Sequence, residues 1–372
     1  MLTPRELDAP AREIAALATG AAVHDLGWLK RVAVHGEDRF RWLSGMVTNM
    51  VNELDANAGA WNLVLNAQGR IQGDLYVWRE GDGISPQRGR PAATTRGSKD
   101  RFLGTPVAGD PKLDLVIAAD QFERLIAHLE RFIIMDDVEL AELSGESALG
   151  LTGPASDEVL DRLSLPTLSA PLTGTRVEWN GLDLRIERGY GVLAAHYELW
   201  APEAQIGKLW KYLRTAGATP VGSASVDGFR IAEGIPAYGI DIAERDLPQE
   251  TSQMRALHFN KGCYLGQEIV ERIRSRGRVH RRLRQLELIG PVPAGGTERT
   301  LDGGVAGGQI TSAAELALAT GHRIFALGMI RGEAELRNQP LTYAAGTATG
   351  TARILAAPPS LEPDERAGKS AS

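Results

Sequence analysis

The stretch Asn260-Lys261-Gly262-Cys263-Tyr264-Leu265-Gly266-Gln267-Glu268-Ile269-Val270 sets the terms for the rest of the chain. Glycines on both sides of the Cys-Tyr-Leu run allow a tight backbone turn, and Leu265, Ile269 and Ile273 then repeat at helical spacing. The spacing predicts a turn that leads into a helix, with Cys263 just ahead of the helix N-terminus. Unpaired N–H groups and the helix dipole at that place stabilise a thiolate, and Lys261 adds positive charge, so a thiol of lowered pKa is expected. The competing reading is a small buried residue in a helix-entry turn, the usual setting of a free cysteine.

Upstream, a short helix follows Ser225 and is stopped by Gly234 and Pro236. Glu203 to Thr215 has the pattern of an amphipathic helix with Ile206, Leu209, Trp210 and Leu213 inward, and Glu178 to Trp200 that of antiparallel strands. Asp120 to Met135 reads as a helix in which Asp120 and Glu123 form a capping-box-like pair and Phe122, Leu125, Ile126, Leu129 and Ile133 form the buried stripe. Trp28 to Val34 predicts a strand, and Asp38 to Val51 a helix with Phe40, Leu43 and Val47 on one face. Ala60 to Asn66 and Arg70 to Trp78 predict a hairpin around Ala67-Gln68-Gly69. In its second strand the period of two sets Ile71, Leu75 and Val77 on one side, and Arg70, Gln72, Asp74, Tyr76 and Trp78 on the other. Asp74 therefore shares a polar and aromatic face.

Beyond Arg281, short apolar runs such as Leu286 to Ile289 and Ala326 to Ile330 alternate with Gly-rich turns and predict a small all-β domain. Residues 81–111, rich in Gly, Pro, Ser, Thr and Arg, read as a mobile insertion, and those from about 358 as a disordered tail. The division expected is a region over 20–280 holding two interleaved α+β domains, a β-barrel over 281–357 and a tail over 358–372.

Bulk properties exclude several classes. The formal charge of -6 over 372 residues gives no global reason to bind nucleic acid or an anionic membrane. With one cysteine the chain forms no internal disulfide and holds no iron-sulfur cluster or Cys-rich zinc site of its own, so no metal site is expected. The N-terminus lacks an apolar signal core and no run approaches the roughly 20 apolar residues of a membrane span, so a cytoplasmic protein without membrane contact is expected. Arg272 to Arg284, which holds seven arginines and His280, is the one dense basic run; it suits either an anionic ligand or partner, or a solvated face paired with carboxylates.

Lys261 to Glu268 matches, position for position, the pattern K-G-C-[FY]-x-G-Q-E, and by it the chain resembles the YgfZ-type branch of the folate-binding family related to the glycine-cleavage T-protein. Gly36 to Met50 resembles that family's opening helix and L-x-G-x-x-[ST]-N turn, and Asn66 to Leu75 its G-x-x-x-D hairpin. Arg230 to Asp241 follows R-x-x-x-G-x-P-x-x-G-x-D, Leu247 to Glu250 the P-x-E step, and Gly308 to Ser312 with Ile324 to Arg331 resemble its barrel strands.

The resemblance implies an α+β fold, a T-protein-like three-domain cloverleaf of mixed and antiparallel sheets and helices with a small C-terminal β-barrel. It implies tetrahydrofolate or a one-carbon derivative in a central hole, with Asp74 beside the folate nitrogens, Arg230 on the folate tail, and Tyr190 and Glu250 at the same site. Arg230 has an alternative, pairing with Asp227 or Glu233 on its own helix. Cys263 becomes a functional thiol, framed by Lys261, Gly262, Tyr264, Gly266, Gln267 and Glu268. The function implied is a tetrahydrofolate-binding accessory protein for iron-sulfur cluster assembly or repair and iron-sulfur-dependent tRNA modification. Its partners would be iron-sulfur proteins or their assembly factors, with RNA contact only indirect. The alternative is an aminomethyltransferase using tetrahydrofolate. Aminomethyltransferases carry R-T-G-Y-T-G-E, whereas Arg188 to Ala194 reads R-G-Y-G-V-L-A; the pterin glutamate is missing, with Glu187 and Glu198 nearby to substitute, which argues against the glycine-cleavage reaction.

Overall fold

The computed structural model describes residues 4–81, 112–300, 306–337 and 340–361. The insertion expected over 81–111 and the tail expected from 358 lie outside the described residues from 82 and from 362 onward.

An eleven-stranded sheet carries most of the chain. Its strands are β1 (Ala22–Asp25), β2 (Leu29–His35), β3 (Ala58–Leu65), β4 (Ile71–Glu80), β5 (Lys112–Ala118), β6 (Glu139–Glu142), β7 (Glu146–Thr152), β8 (Thr173–Trp179), β9 (Leu182–Arg188), β10 (His196–Pro202) and β11 (Thr219–Pro220). The helices are α1 (Pro10–Thr19), α2 (Arg39–Met46), α3 (Ala119–Glu130), α4 (Ser156–Arg162), α5 (Ile206–Thr215), α6 (Ser223–Glu233), α7 (Gln267–Arg276) and α8 (Gly332–Arg337). Strands β12 (Arg281–Ile289), β13 (Glu298–Thr300), β14 (Ala306–Leu318), β15 (Gly321–Arg331), β16 (Leu341–Ala345) and β17 (Ala348–Ile354) close into a barrel, so the α+β class with a C-terminal barrel is observed.

The order β11-β1-β7-β10-β9-β8-β3-β4-β5-β2-β6 divides the sheet into two leaves. They meet at β8 and β3, which share one paired position, Ala58 with Thr173. Each leaf has its own core, one with Leu149, Leu184, Leu199 and Leu213, the other with Val34, Leu43, Leu115 and Leu125. The seam between them is filled by Leu26, Trp78, Val116, Ala148 and Trp200, and bridged by charge. Arg31 of β2 is fully buried, with its guanidinium 2.6 Å from Glu187 of β9 and stacked 4.4 Å from the Trp200 ring. Arg185 of β9 reaches back to Asp114 of β5 and to Glu80 of β4. A third core joins α1, α6 and the β3–β4 hairpin to the barrel through Leu17, Phe229, Leu65 and Phe325.

Three boundaries depart from the sequence reading. Helix α2 ends at Met46 instead of running to Val51, because Val47 turns extended and bridges Val64 of β3. Helix α3 stops at Glu130, leaving Ile134 and Met135 exposed. It begins at Ala119, so Asp120 lies inside the first turn, where a carboxylate favours the dipole, and does not cap. Trp78, placed by period on the polar face, is 3% exposed because that face packs against the seam instead of solvent.

Candidate functional site

Asp74 sits near the middle of β4 opposite Leu63 of β3, so that alternation along β3 sets Trp61 on the same face. Trp61 donates its indole N–H to Asp74 Oδ2 at 2.8 Å, and Gln121 of α3 donates to Oδ1 at 2.9 Å while accepting the Asp74 backbone N–H at 3.0 Å. Burial pushes the Asp74 carboxyl up from its ordinary value, opposed by the bonds from Gln121 and Trp61. Tyr76, two residues along the same face, is pushed up to about 12 by burial; Arg255, Glu198 and Asp74 all act on it electrostatically. One group of side chains thus gathers from both leaves and from the segment before Cys263.

Arg255, which the sequence reading did not single out, is the hub of that group. Its guanidinium lies 3.6 Å from the Tyr190 ring and 4.5 Å from the Trp61 ring, and Nε donates to Gln253 at 3.2 Å. Nη1 is buried with no protein partner. A cavity of about 400 Å³ opens beside it, lined by Tyr190, Val192, Glu233, Arg255, Arg284 and Gln285 among others. Glu233 of α6 accepts the backbone N–H groups of Val192 and Leu193 at 2.8 and 2.9 Å, so it shapes the loop that in sequence lacks the family glutamate. No spacing rule marks Arg255; its only signal was a cation between the P-x-E step and the Cys stretch.

Arg230 and Glu250 lie in frameworks of their own. Arg230 pairs at 2.7 Å with Asp227 and at 2.7 Å with Asp241, leaving only Nη2 without a protein partner. Asp241 is 2% exposed and also accepts from Ala237 N–H, Thr311 and Ser312, which ties the R-x-x-x-G-x-P-x-x-G-x-D segment to the barrel. Glu250 accepts the Leu247 N–H at 3.0 Å and faces Arg281 at 3.3 Å. Neither residue lines the cavity of Tyr190 and Arg255.

The Cys263 stretch is anchored from below. Lys261, 7% exposed, donates to the carbonyls of Ser44, Val47 and Asn49 at 2.8, 2.6 and 2.7 Å. Burial pushes its ammonium down to about 7, while the three carbonyls favour the charged form; the geometry of three short bonds argues that it stays charged. Its ammonium is therefore held by three carbonyls in and just after the end of α2. Gly266 takes φ +79°, and a Cβ there would lie 2.5 Å from Asn66 O and 3.0 Å from Gly69 Cα, so the turn and the hairpin tip meet backbone to backbone. Tyr264 is buried, whereas the thiol of Cys263 is exposed. Glu268 pairs with Arg272 on the surface of α7.

The basic run is largely neutralised in place. Arg272 meets Glu268, Arg274 meets Glu271, Arg281 meets Asp246 and Glu250, and Arg284 meets Glu335. Among the described residues no group of three or more His, Cys, Asp or Glu is arranged to hold a metal ion, and no helix is long and apolar enough to cross a membrane.

Residues 108–261 match the GCVT N-terminal domain family. An aminomethyltransferase of Rubrobacter xylanophilus is 26% identical over 298 residues, 76% of this chain and 71% of that protein. A chloroplastic protein of Arabidopsis thaliana, named as a transferase, is 26% identical over 324 residues, 86% of this chain and 67% of its own length. The crystal structure of glycine cleavage system aminomethyltransferase T from Bartonella henselae superposes with a TM-score of 0.78 over 95% of this chain and 90% of that one, at 18% identity. Residues 108–261 thus carry the match to the GCVT N-terminal domain, the aligned relatives are named as transferases, and the chain shares the fold of the aminomethyltransferase structure.

Proposed function

We propose that the chain binds tetrahydrofolate or a one-carbon derivative in the cleft between the leaves and acts on the one-carbon unit, the aminomethyltransferase reading. The observation that carries it is Asp74: a buried carboxyl of raised pKa, held in place by Trp61 and Gln121. Such a group exchanges a proton with a ligand nitrogen at little cost in reorganisation. The residues present fit a flat, polar, partly anionic ligand. Tyr190 offers an aromatic wall and Arg255 an N–H with no partner to a cavity of the size that small-ligand sites occupy, while Trp61, stacked on Arg255, and its partner Asp74 adjoin that arginine without lining the cavity. The names of the relatives support this reading over an accessory role. Folate would supply the amine that accepts the one-carbon unit; Asp74 would hold or release a proton beside it, and Arg255 would fix its orientation.

A second reading keeps folate binding and makes the chain an accessory of iron-sulfur proteins, acting as a YgfZ-type member. The exposed thiol of Cys263 on a turn fastened by Lys261 favours it. Calorimetry with tetrahydrofolate under reducing conditions tests the common core, and absence of binding ends both readings. Aminomethyl transfer from a lipoyl carrier protein separates them: turnover of about 10 per second, a typical enzyme rate, selects the transferase. No turnover, together with loss of iron-sulfur enzyme activity in a Cys263→Ser strain, selects the accessory.

A further inference from the structure

Three strands of one leaf bring His24, Thr152, His196 and Glu198 together. In the register of the sheet His196 faces Thr152, and His24 faces Gly150, two residues along β7. The Thr152 hydroxyl stands 3.0 Å from His24 Nε2 and 2.8 Å from His196 Nδ1, and His196 Nε2 lies 3.9 Å from Glu198 Oε1. The two rings stack at 5.9 Å. Space for both is made by glycine: a Cβ at Gly150 would strike the His24 ring at 2.1 Å, and one at Gly189 the His196 ring at 2.6 Å. Gly189 precedes Tyr190, so the chain ends at the wall of the cleft. None of these groups has a part in the reading above.

The direction of the hydrogen bonds follows from one end. We assign His24 Nδ1–H to the Asp25 carbonyl, because Thr152 engages Nε2 and the Asp25 backbone acts on the ring in the sense that favours its protonated form. Burial keeps both imidazoles neutral, pushed down to about 3 for His24 and about 4 for His196. A neutral ring that donates from Nδ1 accepts at Nε2, so the Thr152 hydroxyl donates to His24. Its oxygen then accepts from His196 Nδ1–H, and His196 Nε2 presents a bare lone pair toward Glu198. A lone pair facing a carboxyl favours the acid over the carboxylate.

We propose that the chain His24, Thr152, His196 favours the acid form of Glu198, so that near neutral pH this carboxyl exchanges a proton within electrostatic reach of Tyr76. Of the other groups around Glu198, Glu187 acts in the same direction, whereas Trp200 and Arg31 favour the carboxylate. Glu187 repels a second carboxylate, Trp200 donates to Oε2 at 3.3 Å, and Arg31, the one cation acting on it, is already bound to Glu187 and Asp114. Burial and Glu187 push the Glu198 carboxyl up to about 7. At 3.9 Å a small rotation, or one water that donates to Nε2 and accepts from the acid, completes the contact. Thr152 and His196 are positioning residues; the donor role of Glu198 toward a ligand rests on the folate reading, whereas the hydrogen-bond chain does not.

The test uses full-length protein without ligand. Nitrogen-15 NMR reads the tautomer of each histidine, and the carboxyl infrared band lost in Glu198→Gln gives the titration of Glu198. Expected are Nδ1–H on both rings and a Glu198 midpoint near neutrality. In Thr152→Val, His196 is free to place its proton on Nε2 and donate to the carboxylate, so the midpoint falls by about one unit. Thr152→Ser retains it. Nε2–H on His196 in the wild type, or an unmoved midpoint in a folded Thr152→Val, overturns the proposal; if the valine variant does not fold, the wild-type tautomers decide alone. Folate calorimetry on the same samples is read separately: absence of binding removes the folate reading and the donor role, and leaves the tautomer result standing.

Discussion

Replacing Lys261 by Met keeps the length of the side chain and removes the ammonium that joins the Cys263 turn to the turn after α2. Three charge-assisted bonds of 2.6 to 2.8 Å are lost, and the carbonyls of Ser44, Val47 and Asn49 are left without that donor. Bonds to a charged group contribute about 1.5–3 kcal/mol each, and a buried orphan acceptor costs about 1–3 kcal/mol. Against these stands the desolvation of the ammonium, several kcal/mol that the methionine no longer incurs. The balance is a destabilisation of about 2–4 kcal/mol, measured by urea unfolding followed through tryptophan fluorescence. The same variant separates two roles for the lysine. As a counter-charge for the thiol its loss would slow alkylation of Cys263 by iodoacetamide; as a clamp its loss leaves the rate in native buffer within about twofold. A destabilisation below about 1 kcal/mol, or a tenfold slower alkylation in folded protein, refutes the clamp.

Glu198→Gln changes the pH dependence of stability. The folded-state pKa of Glu198 lies above the ordinary value, so its acid form stabilises at low pH and that contribution is lost as pH rises from 4.5 through about 7, roughly 3 kcal/mol in all. The glutamine variant gains on the wild type over that window in urea titrations at successive pH values, and parallel curves would refute this. Gly266→Ala forces an L residue into positive φ and a Cβ to 2.5 Å from Asn66 O, and is expected to cost at least about 2 kcal/mol in the same assay. Arg255→Leu removes the guanidinium between Tyr190 and Trp61 and is expected to weaken tetrahydrofolate binding about 10-fold or more in calorimetry, with wild-type affinity as the contrary result.

The sequence carries the strands and helices well where a period repeats, as in β4 and α5, and poorly where a tertiary contact ends an element. Val47 leaves its helix because β3 offers it a bridge, which no local pattern announces. Alternation sets Asp74 on the polar and aromatic face of β4, and its expected place beside the folate came from the family resemblance. Arg255 was missed because a cation held between two rings from distant strands has no linear signature. Glu187 and Glu198 stood out in sequence only as neighbours able to substitute for the missing family glutamate, and His196 not at all; the sheet sets Arg31 and Thr152 against them. The pairing Arg230 with Asp241 shows the reverse case, a conspicuous motif whose ion pair fastens α6 to the segment ahead of the barrel.

The seam between β8 and β3 has a mechanical consequence. A sheet usually resists bending across its strands because every residue pair adds a rung, but here one rung, Ala58 with Thr173, crosses the boundary. Stiffness there comes instead from Arg31, Arg185 and their carboxylates, which are strong in compression and directionally forgiving. A hinge motion between the leaves would turn about that line, opposed by the ion pairs and by the packing of Trp78 on Trp200. Tyr76 on one leaf and Glu198 on the other would then approach or part, so their spacing would depend on buried charge and packing more than on a hydrogen-bonded ladder.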